Sequence, residues 1–179
     1  MRTTSLVLVL FGAASPLLAQ QNTSAGPLIH SAGAVFSVDA PDFETRPDID
    51  YKVAFELAAA ADSPDQLNRS LNSVARFMNM HGQAGVPAHR IKPAVVVHGP
   101  AGWELLDDAS YSERHGVANP NRTLIRELIN AGVDVILCGQ TAASRGIPRD
   151  GLIPGVQMAL SAMTAFVALQ EDGYWVNPW

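Results

Sequence analysis

Apolar and polar residues alternate through Tyr51-Lys52-Val53-Ala54-Phe55-Glu56-Leu57, the period-two pattern of a strand. The next apolar positions, Leu67, Leu71, Val74 and Met78, are spaced 4, 3 and 4 residues apart and form one helical stripe. Ser63 and Pro64 predict its start as N-cap and first helical residue, and Gly82 and Gly85 its end. Pro93 to His98 is an apolar run that suits a strand covered on both faces. Gly99-Pro100-Ala101-Gly102 closes it, Trp103 to Asp108 reads as a short helical turn, and Asp107 to Ala118 as a polar loop. Asn119-Pro120 predicts another helix start, with Leu124, Ile125, Leu128 and Ile129 as its buried face and Gly132 as its stop. Val133 to Leu137 reads as a third buried strand. Val156, Leu160, Met163 and Val167 repeat the 4, 3, 4 spacing and predict a helix over 156–169, before a closing strand at Gly173-Tyr174-Trp175-Val176.

Strands alternating with helices predict an α/β fold: a mostly parallel sheet with right-handed crossovers and helices on both faces. Residues 51–179 form one domain, large enough to bury its own core. Residues 20–50 have no sustained period and are broken by Pro27, Pro41 and Pro47. They read as an irregular leader that drapes over the domain or is partly mobile. Residues 1–19 have the layout of an export signal: Arg2, an apolar stretch from Leu6 to Phe11, and Ala19 before a cut at Gln20. The apolar stretch is shorter than the roughly 20 residues that a membrane span needs, so no membrane attachment is expected once the signal is removed. The expected location is periplasmic or secreted.

The formal net charge of −5 becomes −6 on loss of Arg2, and no basic run is present. That argues against nucleic acid, whose binding rests on Lys and Arg against phosphates. His30, His81, His89, His98 and His115 are scattered without metal-ligand spacing, so no metal and no cofactor is expected.

The candidate chemistry centres on Cys138, the single cysteine of the chain. It ends the third strand, at the edge where parallel sheets place their ligands. Cys138-Gly139-Gln140-Thr141 then opens onto a loop with Gly146, Pro148, Gly151, Pro154 and Gly155. A lone cysteine makes no internal disulfide, which leaves core packing, an intermolecular bridge or thiol chemistry. Arg145 in the same segment is a candidate to favour the thiolate. His98, which ends its own strand as Cys138 does, is a candidate to hydrogen-bond the thiol. The phosphatase spacing Cys-x5-Arg is missed by one residue, since Ser144 stands where the arginine belongs. Ser144 itself lacks the Gly-x-Ser-x-Gly elbow of hydrolases. Trp103, Trp175 and Trp179 suit core or subunit packing. Asn22, Asn68 and Asn121 match the glycosylation pattern, but two of them fall on or at the start of predicted helices.

Asn119-Pro120-Asn121, the helix from Leu124 to Gly132, Val135-Ile136-Leu137-Cys138-Gly139-Gln140-Thr141, Leu152-Ile153-Pro154-Gly155-Val156, Ser161-Ala162-Met163-Thr164 and Gln170-Glu171-Asp172-Gly173-Tyr174 together resemble the DsrE/DsrF-like family over residues 51–179. The resemblance implies a three-layer α/β/α sandwich with a five-stranded, largely parallel sheet, and a homo-oligomer, often a trimer or hexamer. Better-known relatives act in sulfur oxidation and in sulfur relay for tRNA thiolation, with a cysteine that carries a persulfide between donor and acceptor proteins. Cys138 resembles that cysteine, but the export signal sets this chain apart from a cytoplasmic relay. Two functions stand at this point, and whether the chain is an enzyme is open. One is a persulfide or thiol carrier on Cys138, with a donor or acceptor protein as partner. The other is an oligomeric ligand- or partner-binding module in which Cys138 only packs.

Overall fold

The computed structural model describes residues 23–177. The export signal expected at residues 1–19, Asn22 and Trp179 lie outside the described residues. The leader is draped and firmly pinned. Its strands β1 (Thr23–Ser24) and β2 (Val35–Phe36) pair antiparallel. Between them, the buried Asn79 side chain binds the leader backbone like a clip. Its Oδ1 accepts from the N–H groups of Leu28 and Ile29, and its Nδ2 donates to the carbonyls of Ile29, Ala32 and Gly33. The Glu127 carboxylate accepts from the N–H groups of His30 and Ser31 and from the Ser31 hydroxyl. Ile29 is fully buried as a result.

The main sheet contains β3 (Tyr51–Leu57), β4 (Ile91–Val97), β5 (Asp134–Cys138), β6 (Gln157–Ala159) and β7 (Trp175–Asn177). Their order is β6-β5-β4-β3-β7 and every pairing is parallel. The fold is α/β, with helices α1 (Arg69–Gln83), α2 (Asp108–His115), α3 (Arg122–Asn130), α4 (Gly139–Arg145) and α5 (Ala162–Glu171). Strand alternation sends Phe55, Leu57, Val95, Val97, Val135 and Leu137 into one core with residues of α1 to α4. Ala54, Ala94 and Val96 point the other way, towards Ala165 and Leu169 of α5.

Four sequence expectations need correction. The first helix begins at Arg69, because Ser63 and Pro64 are used in a turn in which the Gln66 N–H reaches the Ser63 carbonyl. Buried Asn68 is the true cap, accepting from the N–H groups of Ser70 and Leu71. The expected loop at Asp107–Ala118 contains α2, capped by the Asp107 side chain and ended by Gly116 at φ 75°. Tyr111 alone is buried in that helix, so no apolar period announced it. The third expectation, a proline-led start at Asn119-Pro120, gives way to a start at Arg122. The Asn119 amide instead donates to the carbonyls of Glu104 and Leu106.

The fourth correction concerns the helix expected over 156–169. Gln157–Ala159 instead adds a fifth strand to the edge of β5, and Ser161 caps a later helix by accepting from the Thr164 N–H. Val156 packs against the core, but the rest of the apolar stripe that suggested the longer helix faces outward. Leu160, Met163 and Val167 are 73%, 77% and 61% exposed. Among the described residues no helix is long and apolar enough to cross a membrane.

Candidate functional site

Three polar side chains share the carboxyl edge of the sheet, on the face that α5 covers. Glu56 is the last but one residue of β3, His98 follows β4, and Cys138 ends β5. Each alternates in step with the residues packed under α5: Glu56 with Ala54, His98 with Val96, and Cys138 with Ile136. Val97 pairs with Leu137 in the β4–β5 register, and the His98 N–H still bonds the Leu57 carbonyl at 2.9 Å. His98 and Cys138 are thus one step past that pair on neighbouring strands. The His98 ring turns towards β3, where its Nε2 lies 2.8 Å from Glu56 Oε1. No hydrogen bond joins His98 to Cys138 among the described residues.

Cys138 is 6% exposed and free. It is also the N-cap of α4, so the polypeptide turns from strand to helix at Cys138 itself. Gly139 permits this turn, since a Cβ there would come within 2.6 Å of the Ala159 carbonyl oxygen. Burial pushes the thiol upward, but the Thr141 N–H and hydroxyl and the N–H groups of Ala162 and Gln140 outweigh it. The balance leaves Cys138 below its ordinary value. These donors face the sulfur, although none closes a capping hydrogen bond of ordinary geometry. Thr141 also ties the site to β4, because its Oγ1 accepts from the Gly99 N–H at 3.1 Å.

Arg145 sits elsewhere. The segment after Cys138 is a helix rather than the expected glycine-rich loop, and Arg145 is its exposed last residue. Seven residues of helix rise about 10 Å, so the guanidinium leaves from the opposite end. A loop would have wrapped it back. His98, by contrast, shares the face and the edge with Cys138.

Glu56, Gly139, Thr141 and the Ala162 N–H are the site groups that sequence reading missed. Thr141 is three residues after the cysteine, the spacing at which a helix-start side chain folds back on its cap, and that signal was available. Ala162 carried none, because only the sheet order brings the start of α5 beside β5. Among the described residues no group of His, Cys, Asp and Glu is placed to hold a metal ion. Asn68 and Asn121 are buried at 2% and 0% exposure, which removes them as glycan acceptors.

A second polar cluster lies on the other face. Buried Glu104 accepts from the Ala61 N–H through Oε1, while its Oε2 finds no partner among the described residues. Asn121 Oδ1 accepts from the Asn68 N–H, and its Nδ2 is likewise unpartnered. Burial pushes the Glu104 carboxyl up to about 7, against the opposing hydrogen bond from the Ala61 N–H and the pull of the nearby Asn68 amide.

Comparison with known proteins places this geometry in context. The model of the DsrE/DsrF-like family matches residues 52–178. Among solved structures, the chain is similar to MTH1491 of Methanobacterium thermoautotrophicum, a protein of unknown function. The identity is 20% and the TM-score 0.51, over 72% of this chain and 98% of that one. It is also similar to the ychN protein of E. coli, at 17% identity and a TM-score of 0.52, over 70% of this chain and 95% of that one. Comparison with curated proteins gave no match.

Proposed function

The chain belongs to the DsrE/DsrF-like family, and from that premise we propose that it carries sulfane sulfur as a persulfide on Cys138. The observation that carries this reading is the placement of the free Cys138, which ends β5 and caps α4 at the carboxyl edge of the sheet, where the Thr141, Gln140 and Ala162 N–H groups offset its burial. The thiolate is the form that attacks a sulfur donor. In the transfer, Cys138 Sγ attacks the outer sulfur of a donor persulfide or polysulfide. A new S–S bond forms, the donor's S–S bond breaks, and the donor leaves as a thiolate that takes up a proton. Sulfur is moved without net oxidation. Since Cys138 is the single cysteine, no neighbouring thiol in the chain collapses the product to a disulfide.

The carrier works as a homo-oligomer, a trimer or a multiple of one, built on the outward face of α5. Leu160, just before α5, and Met163 and Val167 on it are exposed along that face. Such a cluster of large apolar side chains suits an interface. A face that begins beside Cys138 is also where a donor or acceptor protein would reach the thiol.

Intact-mass spectrometry after polysulfide treatment tests the carrier reading. Native protein is expected to gain the mass of one sulfur, and the Cys138→Ser variant none. If native protein gains no sulfur and Cys138 is alkylated only after denaturation, the cysteine is structural. The reading as an oligomeric binding module then replaces this one.

A further inference from the structure

His98 Nε2 and Glu56 Oε1 lie 2.8 Å apart at the carboxyl edge of the sheet. Both residues end parallel strands, and they reach each other diagonally across the face that also holds the nucleophile. A carboxylate only accepts, so the proton of the imidazole sits on Nε2 against Glu56. That leaves Nδ1 as the free acceptor of the ring. Cys138 is on the neighbouring strand, on the side of His98 opposite β3. Acid, imidazole and thiol thus follow one another across β3, β4 and β5, the order of an oriented base beside a nucleophile.

We propose that Glu56 is a positioning residue that holds His98 to move the proton of Cys138 during sulfur transfer. The inference rests on Cys138 being the sulfur carrier. His98 Nδ1 takes the thiol proton as Sγ attacks the outer sulfur of the donor persulfide. The donor's S–S bond breaks, and its thiolate leaves with the proton that Nδ1 held. Glu56 accepts from Nε2–H and fixes the ring. Hydrogen bonds between a base and its nucleophile commonly tighten only when substrate binds, so the open His98–Cys138 pair is compatible with this role. Few other charges face this line. Lys52 donates to the Asp172 carbonyl, Lys92 is paired with Asp50, and Asp134 is bonded by Gln157, all further down the strands. Along α5 no charged residue precedes Glu171.

The sign of one measurement separates this role from a nearby negative charge. Removing a bare carboxylate would ease Cys138 ionisation and lower the pH of half-maximal alkylation. Removing a carboxylate that supports an imidazolium would raise it. In native protein treated with iodoacetamide across pH, His98→Gln and Glu56→Gln are each expected to raise that pH by about 0.5 to 1, so that labelling near neutrality slows about three- to tenfold. The double variant should match His98→Gln alone, and Glu56→Asp should restore most of the loss. A lowered or unchanged pH for Glu56→Gln, or additive effects in the double variant, overturns the proposal. Polysulfide loading of the same proteins keeps the two readings apart. The expected pH pattern without sulfur gain refutes the carrier and keeps the proton line. Sulfur gain with an unmoved pH profile refutes the line and keeps the carrier.

Discussion

Glu104→Gln should make the protein more stable above neutral pH and remove much of its pH dependence. Glu104 is 3% exposed, and its carboxyl is pushed from an ordinary 4.5 to about 7 by burial. In the unfolded chain it returns to its ordinary value. Between about pH 4.5 and pH 7 the folded protein keeps the proton and the unfolded chain has lost it. Stability therefore falls as pH rises through that window. The contribution is complete below the lower value and is gone above the upper one. The displacement corresponds to about 3 kcal/mol. Glutamine keeps the shape and the Oε1 that accepts from the Ala61 N–H, without a charge to bury. Urea unfolding should give the two proteins similar stability near about pH 5. Near about pH 8 the variant should lead by about 3 kcal/mol. The tryptophans, Trp103 among them, report the transition by fluorescence. A stability difference that stays constant between those two pH values would refute the reasoning, because it would mean that Glu104 ionises as freely in the fold as in the unfolded chain.

Asn79→Ala should cost about 2 to 4 kcal/mol, since it leaves leader N–H and carbonyl groups buried without partners. Limited proteolysis should then cut within residues 23–36 while the sheet survives, and an uncut leader would show that Glu127 suffices to hold it. Met163→Glu places a charge in the centre of the exposed α5 stripe and should leave the fold intact but reduce the proposed homo-oligomer to monomers by light scattering. Unchanged mass in solution would move the interface elsewhere.

Local rules were legible where local physics decided the outcome. The alternation at Tyr51–Leu57 and the apolar run ending at His98 each became strands close to the predicted limits, because period and burial agree there. The motifs that carried the family resemblance were similarly readable as a string. Starts and stops were less so, since Asn68 and Asn121 act through partners about 50 residues away in sequence.

The site divides in the same way. A cysteine at the end of a buried strand is a sequence fact, and the βα order puts it at the ligand edge whatever the details. The sequence could likewise propose His98, because both residues end strands of one parallel sheet. It could not propose Glu56, whose neighbourhood to His98 depends on β3 lying beside β4 and on a shared face. Nor could it discard the long helix over 156–169. A 4, 3, 4 stripe is equally the mark of a buried helix face and of one left for a partner, and the choice here fell to the edge of β5. That edge needed backbone partners, drew Gln157–Ala159 into the sheet, and turned Leu160, Met163 and Val167 outward. Periodicity belongs to the sequence, but which face meets the core is settled by the tertiary competition for unpaired backbone.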